Sequence, residues 1–513
     1  MDASLEQKAQ QAPLAGMALW LSAMVLAAAN FLVVLDTTIA NVSVPNIAGG
    51  LAVSSSQGVW VITSYAVAEA VTVPLTGWLA ARFGAVRVFV VGMIGFGICS
   101  ALCGLAPSLG MLVLFRVMQG VCGGPLMPLS QTLLLKIFPE RRAATAMTIW
   151  SMTTLVAPIL GPILGGLLCD NLGWPFVFFI NTPIALICGV FAWRMLRARE
   201  TAILKARIDF VGLGLLVVWV GSLQVMLDLG KDHDWFSSPM IVGLGLTALV
   251  GFVAFLIWEL TEKEPVIPLR IFLRRGYAAS VLTIGLGFAA LMGVIVLTPL
   301  WLQQNMGYTA TWSGYVTAQT GILAVMAAPF AARLSGKIDP RLLVAGGLSW
   351  LGLVALFRSQ AVTEMTFGQI APLLLLQGIG LPFFFVPLST LALSSVDPKD
   401  TASAAGLMNF ARTVCGAFAV SIVNTVWENG ASGNHATLSG VLNGAQATID
   451  RLGQSGMSAA QATGMVDQLV QTQSVMLSTN TVFMGMAALF AVAALAIWIA
   501  PKPARLVDAS GVH

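Results

Sequence analysis

The residues with the most chemistry to offer are the few charges stranded in apolar sequence. Asp36 ends a stretch, Ala9 to Leu35, in which nothing is charged. Glu69, Arg116 and Arg412 fall inside other apolar runs. A carboxylate in such a setting is costly unless paired, and its proton affinity follows nearby charge and solvation. Asp36 and Glu69 are therefore candidate proton carriers, with Arg116 the candidate partner of Asp36. Other chemistries find no support. The three histidines, His233, His435 and His513, lie in loops or the tail, so no metal site is expected. "GKD" (230–232) and "GKID" (336–339) lack the frame of a phosphate-binding loop. An enzyme would need clustered histidines or acids at a membrane face, and these are absent. No cofactor is expected, and an ion gradient is the expected energy source.

The elements that must position these charges are membrane helices. Of 513 residues, 57% are hydrophobic and 9% charged, against about 25% charged in soluble chains. A net charge of +4, scattered along the chain, gives no reason to expect nucleic-acid binding. The six cysteines have neither metal-ligand nor disulfide-framework spacing and read as small packing residues. Runs long enough to span a bilayer occur near 17–39, 58–80, 88–106, 110–135, 144–168, 176–196, 210–228, 240–261, 277–298, 312–332, 342–360, 368–393, 402–427 and 478–499. The first reads as a retained helix rather than a cleaved leader. Fourteen spans put both termini on one side. With that side cytoplasmic, 21 of the 26 Lys and Arg fall inside. Three (Lys231, Arg358 and Arg451) fall outside, and two (Arg116 and Arg412) within spans. The asymmetry predicts cytoplasmic termini.

In this arrangement Asp36 lies roughly three residues, and Arg116 roughly six, from the outer ends of spans 1 and 4. They share a depth, so they can pair. The pair reads either as a fixed structural contact or as a proton site that re-pairs between conformations. Glu69 has three open readings: a second proton carrier, a cation-attracting acid, or a neutral side chain hydrogen-bonded in the bundle. Arg412 has no acidic partner in view and leans towards a structural role, although with Asn409 it marks a possible polar site in the second half.

The chain also repeats itself. "QGVCGGPLMPLSQTLL" (119–134) and "QGIGLPFFFVPLSTLAL" (377–393) share Gln-Gly ahead of Pro-Leu-Ser, on spans 4 and 12. "ARFGAVR" (81–87) and "ARLSGKIDPR" (332–341) follow spans 2 and 10. Two six-span halves result, residues 1–196 and 277–513, joined by a linker with two extra spans at 197–276. Such parallel halves place a transport site between them. In the alignment Leu374 replaces Arg116, so proton chemistry is expected in the first half alone.

Four motifs in order resemble the major facilitator superfamily and, within it, the fourteen-span drug/proton antiporters. They are Leu35-Asp36-Thr37-Thr38-Ile39-Ala40-Asn41-Val42 closing at Pro45, Gly77-Trp78-Leu79-Ala80-Ala81-Arg82-Phe83-Gly84, Arg116-Val117-Met118-Gln119-Gly120, and Ala157-Pro158-Ile159-Leu160-Gly161-Pro162-Ile163-Leu164-Gly165-Gly166. Ala81 stands where much of the superfamily has an acid, and Glu69 belongs to none of the motifs. The resemblance implies an all-α major-facilitator fold in the bacterial inner membrane. It also implies proton-coupled efflux of drug-like compounds, through a periplasmic adaptor (membrane fusion) protein to an outer-membrane channel. A hydrophobic weak acid fits it as substrate, with export of a fatty acid or siderophore as the alternative. Gly77, Arg82, Gly84, Gln119 and Gly120 become gating or structural positions. Ala157, Gly161 and Gly165, beside Pro158, Pro162 and Gly166, become a close-packed seam that flexes while the halves rock.

One long external segment remains, about 428–476, between spans 13 and 14. Ser458 and Gln461 have capping-box spacing. Ala462, Met465, Val466, Leu469 and Val470 then form one helical stripe. With a companion helix near Gly444–Leu452, the segment is expected to fold as a helical cap that docks the adaptor.

Overall fold

The computed structural model describes residues 14–502 except 15, 140–141, 202, 204–208, 264, 398–399, 442–444 and 455–456. Several of the cytoplasmic charges counted above (Lys8, Arg141, Lys205, Arg207, Lys399 and Arg505) and Gly444 lie outside the described residues. Among the described residues the chain is helical, without strands. That suits an apolar chain in lipid, where a helix satisfies its backbone internally.

The helices up to Leu196 are α1 (Gly16–Gly50), α2 (Trp60–Thr72), α3 (Thr76–Phe83), α4 (Ala85–Gly104), α5 (Leu109–Gly123), α6 (Leu126–Ile137), α7 (Ala143–Asn171) and α8 (Asn181–Leu196). Then come α9 (Phe210–Leu229) and α10 (Pro239–Thr261). The rest are α11 (Arg275–Gln304), α12 (Ala310–Ser335), α13 (Pro340–Arg358), α14 (Phe367–Ser394), α15 (Thr401–Val441), α16 (Ala445–Gln454) and α17 (Ala459–Ala496).

Twelve of these stretches are long and apolar enough to cross a membrane. A thirteenth is α7, bent by 42° between Ala143–Pro158 and Leu160–Asn171. The run expected at 58–80 forms two shorter helices, α2 and α3, with Pro74 between them. Proline lacks the N–H that would continue the ladder. Pro125 separates α5 from α6 in the same way, whereas α14 runs through Pro382 and Pro387 unbroken.

Two apolar cores hold the helices together. One joins the helices up to Leu196 around Leu26, Phe89, Phe96 and Trp150. The other centres on Phe384, Phe385, Phe483 and Phe490 and extends to Leu216 and Trp219 of α9 and Phe255 of α10. Trp219 also meets Phe410 of α15 edge-on at 5.8 Å, which ties the extra helices to the second set.

Two expectations need correction. The segment 428–476 is not a cap separate from the spans. The α15 helix runs on unbroken to Val441, and α17 starts at Ala459 and continues straight into the last apolar run. These extensions pair: Ser478 donates to the Trp427 carbonyl at 2.6 Å, and His435 meets Asp467 at 3.0 Å. The companion helix is α16. The five-residue stripe also splits. Ala462 and Val470 are buried, while Met465 and Leu469 face outward. The second correction is Arg358, expected as an external loop charge. It is buried at the end of α13, because its long side chain turns inward to polar acceptors.

Candidate functional site

Asp36, on α1, is completely buried, and so is Arg116 on α5. Arg116 NH1 donates to Asp36 Oδ2 at 2.5 Å and to Gln119 Oε1 at 2.8 Å, and its Nε donates to the Val61 carbonyl at 2.9 Å. The other Asp36 oxygen accepts from Gln119 Nε2 at 3.0 Å and from Asn181 Nδ2 at 2.7 Å. Asn181 also reaches Ser100 Oγ at 3.3 Å. The guanidinium lies 4.2 Å from the Tyr65 ring and 5.6 Å from Phe178. Five helices (α1, α2, α4, α5 and α8) thus close on one ion pair, and both carboxylate oxygens are satisfied. A buried pair persists only when its lone pairs and protons are matched in this way. Separating it requires the helices to move or the carboxylate to take up a proton.

Glu69, on α2, is only half-buried. Its carbonyl accepts from Val73 N and Thr72 Oγ1 at 2.9 and 3.2 Å, while its carboxylate makes no ion pair or hydrogen bond among the described residues. It interacts electrostatically with Asp36, Arg412 and Arg116. Arg412, on α15, is buried between the two helix sets. Its guanidinium lies 5.3 Å from the Trp150 ring of α7 and 5.1 Å from the Phe288 ring of α11. NH2 contacts the Met127 sulfur of α6, and NH1 has no partner. One turn earlier, Asn409 Nδ2 donates across to Gln131 Oε1 of α6 at 3.1 Å, and its own Oδ1 is unpaired. Asn409 and Arg412 therefore belong to the interface between the halves rather than to the second half alone.

The motif residues serve different contacts. Gly77 abuts Ser403 of α15, joining the two sets at the end of the bundle rich in arginine. Gly84 has φ +93° and leaves room for Glu200, whose carboxylate accepts from the Val86 and Arg87 amides at 2.9 and 3.0 Å. Arg82 stacks on Trp78 and Phe83. Gly120 lets α5 approach the backbone of α2 at Tyr65. Gly161 and Gly165 pack on Thr38 and Ile39 of α1, beside Asp36, so their seam lies within the first set. Pro158 and Pro162 are internal to the bent α7. Gly166 has nothing within 4 Å of where a side chain would begin and takes no part in the seam. At the opposite end of the bundle Gly314 of α12 meets Ile163 of α7, a further contact between the sets.

Sequence reasoning missed Asn181, Ser100, Asp228 and Arg358. Asn181 and Ser100 are uncharged, and their only signal was an amide and a hydroxyl in apolar runs. Asp228 near the end of α9 accepts from Gln224 at 3.0 Å. Arg358 donates to Gln377 Oε1 at 2.9 Å and to Thr298 Oγ1 at 2.5 Å, over the Phe483 ring at 4.2 Å. Leu374 is buried apolar core. Among the described residues no cluster of His, Cys, Asp or Glu is placed to hold a metal ion.

The family described as the Major Facilitator Superfamily matches residues 26–420. The chain is 44% identical to the multidrug export protein EmrB of Escherichia coli (strain K12), over 96% of this chain and 98% of that one. It is 42% identical to the fatty acid resistance protein FarB of Neisseria gonorrhoeae, over 96% and 98% respectively. Among solved structures, the proton:xylose symporter XylE superposes with a TM-score of 0.59 at 13% identity, covering 94% of this chain and 96% of that one. At that identity the likeness speaks for the fold alone.

Proposed function

The chain belongs to the major facilitator superfamily, and from that premise we propose that it is a proton-coupled exporter of amphipathic, largely apolar compounds working by alternating access. It is a multi-pass protein of the bacterial inner membrane. Its relatives and its fold are those of transporters, not enzymes. In this reading α2 and α3 make one broken span, which brings the count to fourteen with the bent α7. Both termini and the arginine-rich end are then cytoplasmic. Residues 1–196 and 277–513 are the rocking halves, and 197–276 carries the two added spans.

One observation carries the proton-coupled reading: Asp36 and Arg116 are fully buried yet held by side chains from separate helices. A rearrangement of α1 against α5 and α8 would free Asp36 to exchange a proton with one side of the membrane. A proton crossing ~150 mV releases about 3.5 kcal/mol, so neither nucleotide nor cofactor is needed. Glu69, partly exposed and with its carboxylate unpaired among the described residues, is the candidate second carrier. The test is substrate-induced proton release from protein in proteoliposomes. Asp36→Asn should insert normally and lose this release; wild-type stoichiometry in the variant would sink the idea.

The paired extensions of α15 and α17 support a tripartite assembly. Beyond residue 427, α15 continues about 20 Å at 1.5 Å per residue, far enough to clear the lipid. Met465 and Leu469 are exposed there and suit contact with a periplasmic adaptor leading to an outer-membrane channel. A second reading, export of fatty acids, is favoured by the similarity to the fatty acid resistance protein.

A further inference from the structure

We infer that Arg412, with Asn409, is the point at the interface of the two helix sets that recognises the charged head of an anionic substrate and selects it over its neutral isostere. This rests on the exporter reading and adds the residues that select the substrate's charge.

Arg412 is only 3% exposed, yet no carboxylate pairs with it among the described residues. Its NH2 meets only a thioether, a weak acceptor, and NH1 meets nothing. A guanidinium has five donors in a rigid fork that matches the two oxygens of a carboxylate. Arg116, equally buried, commits its NH1 to Asp36 and Gln119 and its Nε to the Val61 carbonyl. Arg412 has its donors in reserve.

The surroundings fit the rest of such a ligand. Trp150 and Phe288 come from opposite helix sets and flank the guanidinium at 5.3 and 5.1 Å. Met127 adds a deformable apolar contact. Asn409, which bridges to Gln131, keeps an unpaired oxygen nearby that could accept from a hydroxyl or amide of the ligand. These residues come from α6, α7, α11 and α15, on both sides of the interface that alternating access must open. Among the described residues Glu69 is the acid with which Arg412 interacts electrostatically. An anion at Arg412 competes with that interaction, which offers a route by which substrate and proton are exchanged against each other.

The test uses the full-length protein in nanodiscs with three probes: 1-naphthoate, its neutral isostere 1-naphthamide, and tetraphenylphosphonium. Wild type should bind naphthoate about tenfold or more tighter than naphthamide, as a charge-assisted pair predicts. Arg412→Gln should bring that ratio close to one, and Arg412→Lys should keep most of it. Tetraphenylphosphonium affinity should not fall in either variant, and naphthamide affinity should be retained, which also reports that they are folded. An unchanged ratio in Arg412→Gln, no preference in wild type, or equal loss of cation and anion would overturn the inference. Efflux of the same probes from proteoliposomes scores the exporter reading separately. Export with an Arg412-independent ratio defeats this inference alone, and an intact ratio without proton-driven movement defeats the exporter reading alone.

Discussion

Each half of the molecule buries a guanidinium against a glutamine and an aromatic ring, but only one supplies a carboxylate. In the first half Arg116 meets Gln119, Tyr65 at 4.2 Å and Asp36. In the second Arg358 meets Gln377, Phe483 at 4.2 Å and Thr298. The glutamines occupy matching places in the repeated Gln-Gly motif. The arginines do not. Arg116 is three residues before its glutamine, whereas Arg358 reaches in from α13, at the register that Cys103 holds in α4. Cys103 does touch Gln119, at 3.6 Å. The polar centre has thus kept its place in both halves while its charge has moved between helices. In the first centre the charges of Asp36 and Arg116 balance, and a proton on Asp36 would leave Arg116 without its counter-ion. The second has only neutral acceptors among the described residues and no carboxylate to take up a proton, so it suits a fixed half against which the first changes state.

The halves differ most outside the bilayer, where only the second carries the paired extensions of α15 and α17. Deleting 440–470 is expected to give the largest effect. Resistance of whole cells should be abolished while transport in inside-out vesicles continues. Equal loss in both assays would mean that the extensions serve the bundle and not an adaptor.

The two arginine centres should also differ in what their loss does to stability. Arg116→Met leaves Asp36 as a buried unpaired charge and is expected to cost about 3–5 kcal/mol. Arg358→Met removes a charge that has no counter-ion, and the lost hydrogen bonds offset the relief, so a change within about 1 kcal/mol is expected. Unfolding of the purified variants in detergent checks this. Equal destabilisation would show that Arg358 is compensated by something other than Gln377 and Thr298.

How far the two centres were legible in the sequence follows the same physics. Asp36 and Arg116 stood out because a charge in an apolar run needs a partner, and helix rise alone matched their depths. Their neutral ligands were harder. Gln119 came with its motif, but Asn181 and Ser100 carry no charge and are common in membrane helices. Arg358 misled because it ends its run. A terminal arginine normally reaches out to water, and only its folded neighbours reveal that it turns inward. The span pattern was legible from hydropathy, but prolines broke two expected helices, at Pro74 and at Pro125. The extensions were obscured by their Gly, Ser and Asn content, which favours turns in isolation and is overridden here by pairing of one extension with the other.

The small-residue face of α7 offers a finer contrast, within the first half. Gly161 packs on Thr38, next to the residue that pairs with Arg116, and Gly166 faces open space. Gly161→Leu should force α1 from α7 and reduce efflux about tenfold or more, whereas Gly166→Leu should stay within about twofold. Similar losses at both positions would mean that α7 acts through its bend and not through this seam.

The smallest effect concerns how each half anchors its third helix. In the first half the N-terminus of α4 is capped from a distance by Glu200. In the second, Asp339 caps α13 directly, accepting from the Arg341 amide at 3.0 Å and pairing with its guanidinium at 2.8 Å. That guanidinium also donates to the Ala500 carbonyl at 3.2 Å, which fastens the end of the chain's last helix. The hydrogen bond from the Arg341 side chain holds the Asp339 carboxyl below the usual carboxylate range. A depressed folded-state value means that its contribution is complete above the unfolded value of about 3.9 and is lost as pH falls through the folded one. Asp339→Asn keeps an oxygen for the amide and removes the charge, so the loss at neutral pH should be at most about 1 kcal/mol. The gap between wild type and variant, followed by thermal unfolding, should be constant from pH 7 to about 5 and close below about 4. A gap that persists in acid would show that the side chain acts through its shape and its cap, and that the ion pair with Arg341 adds nothing.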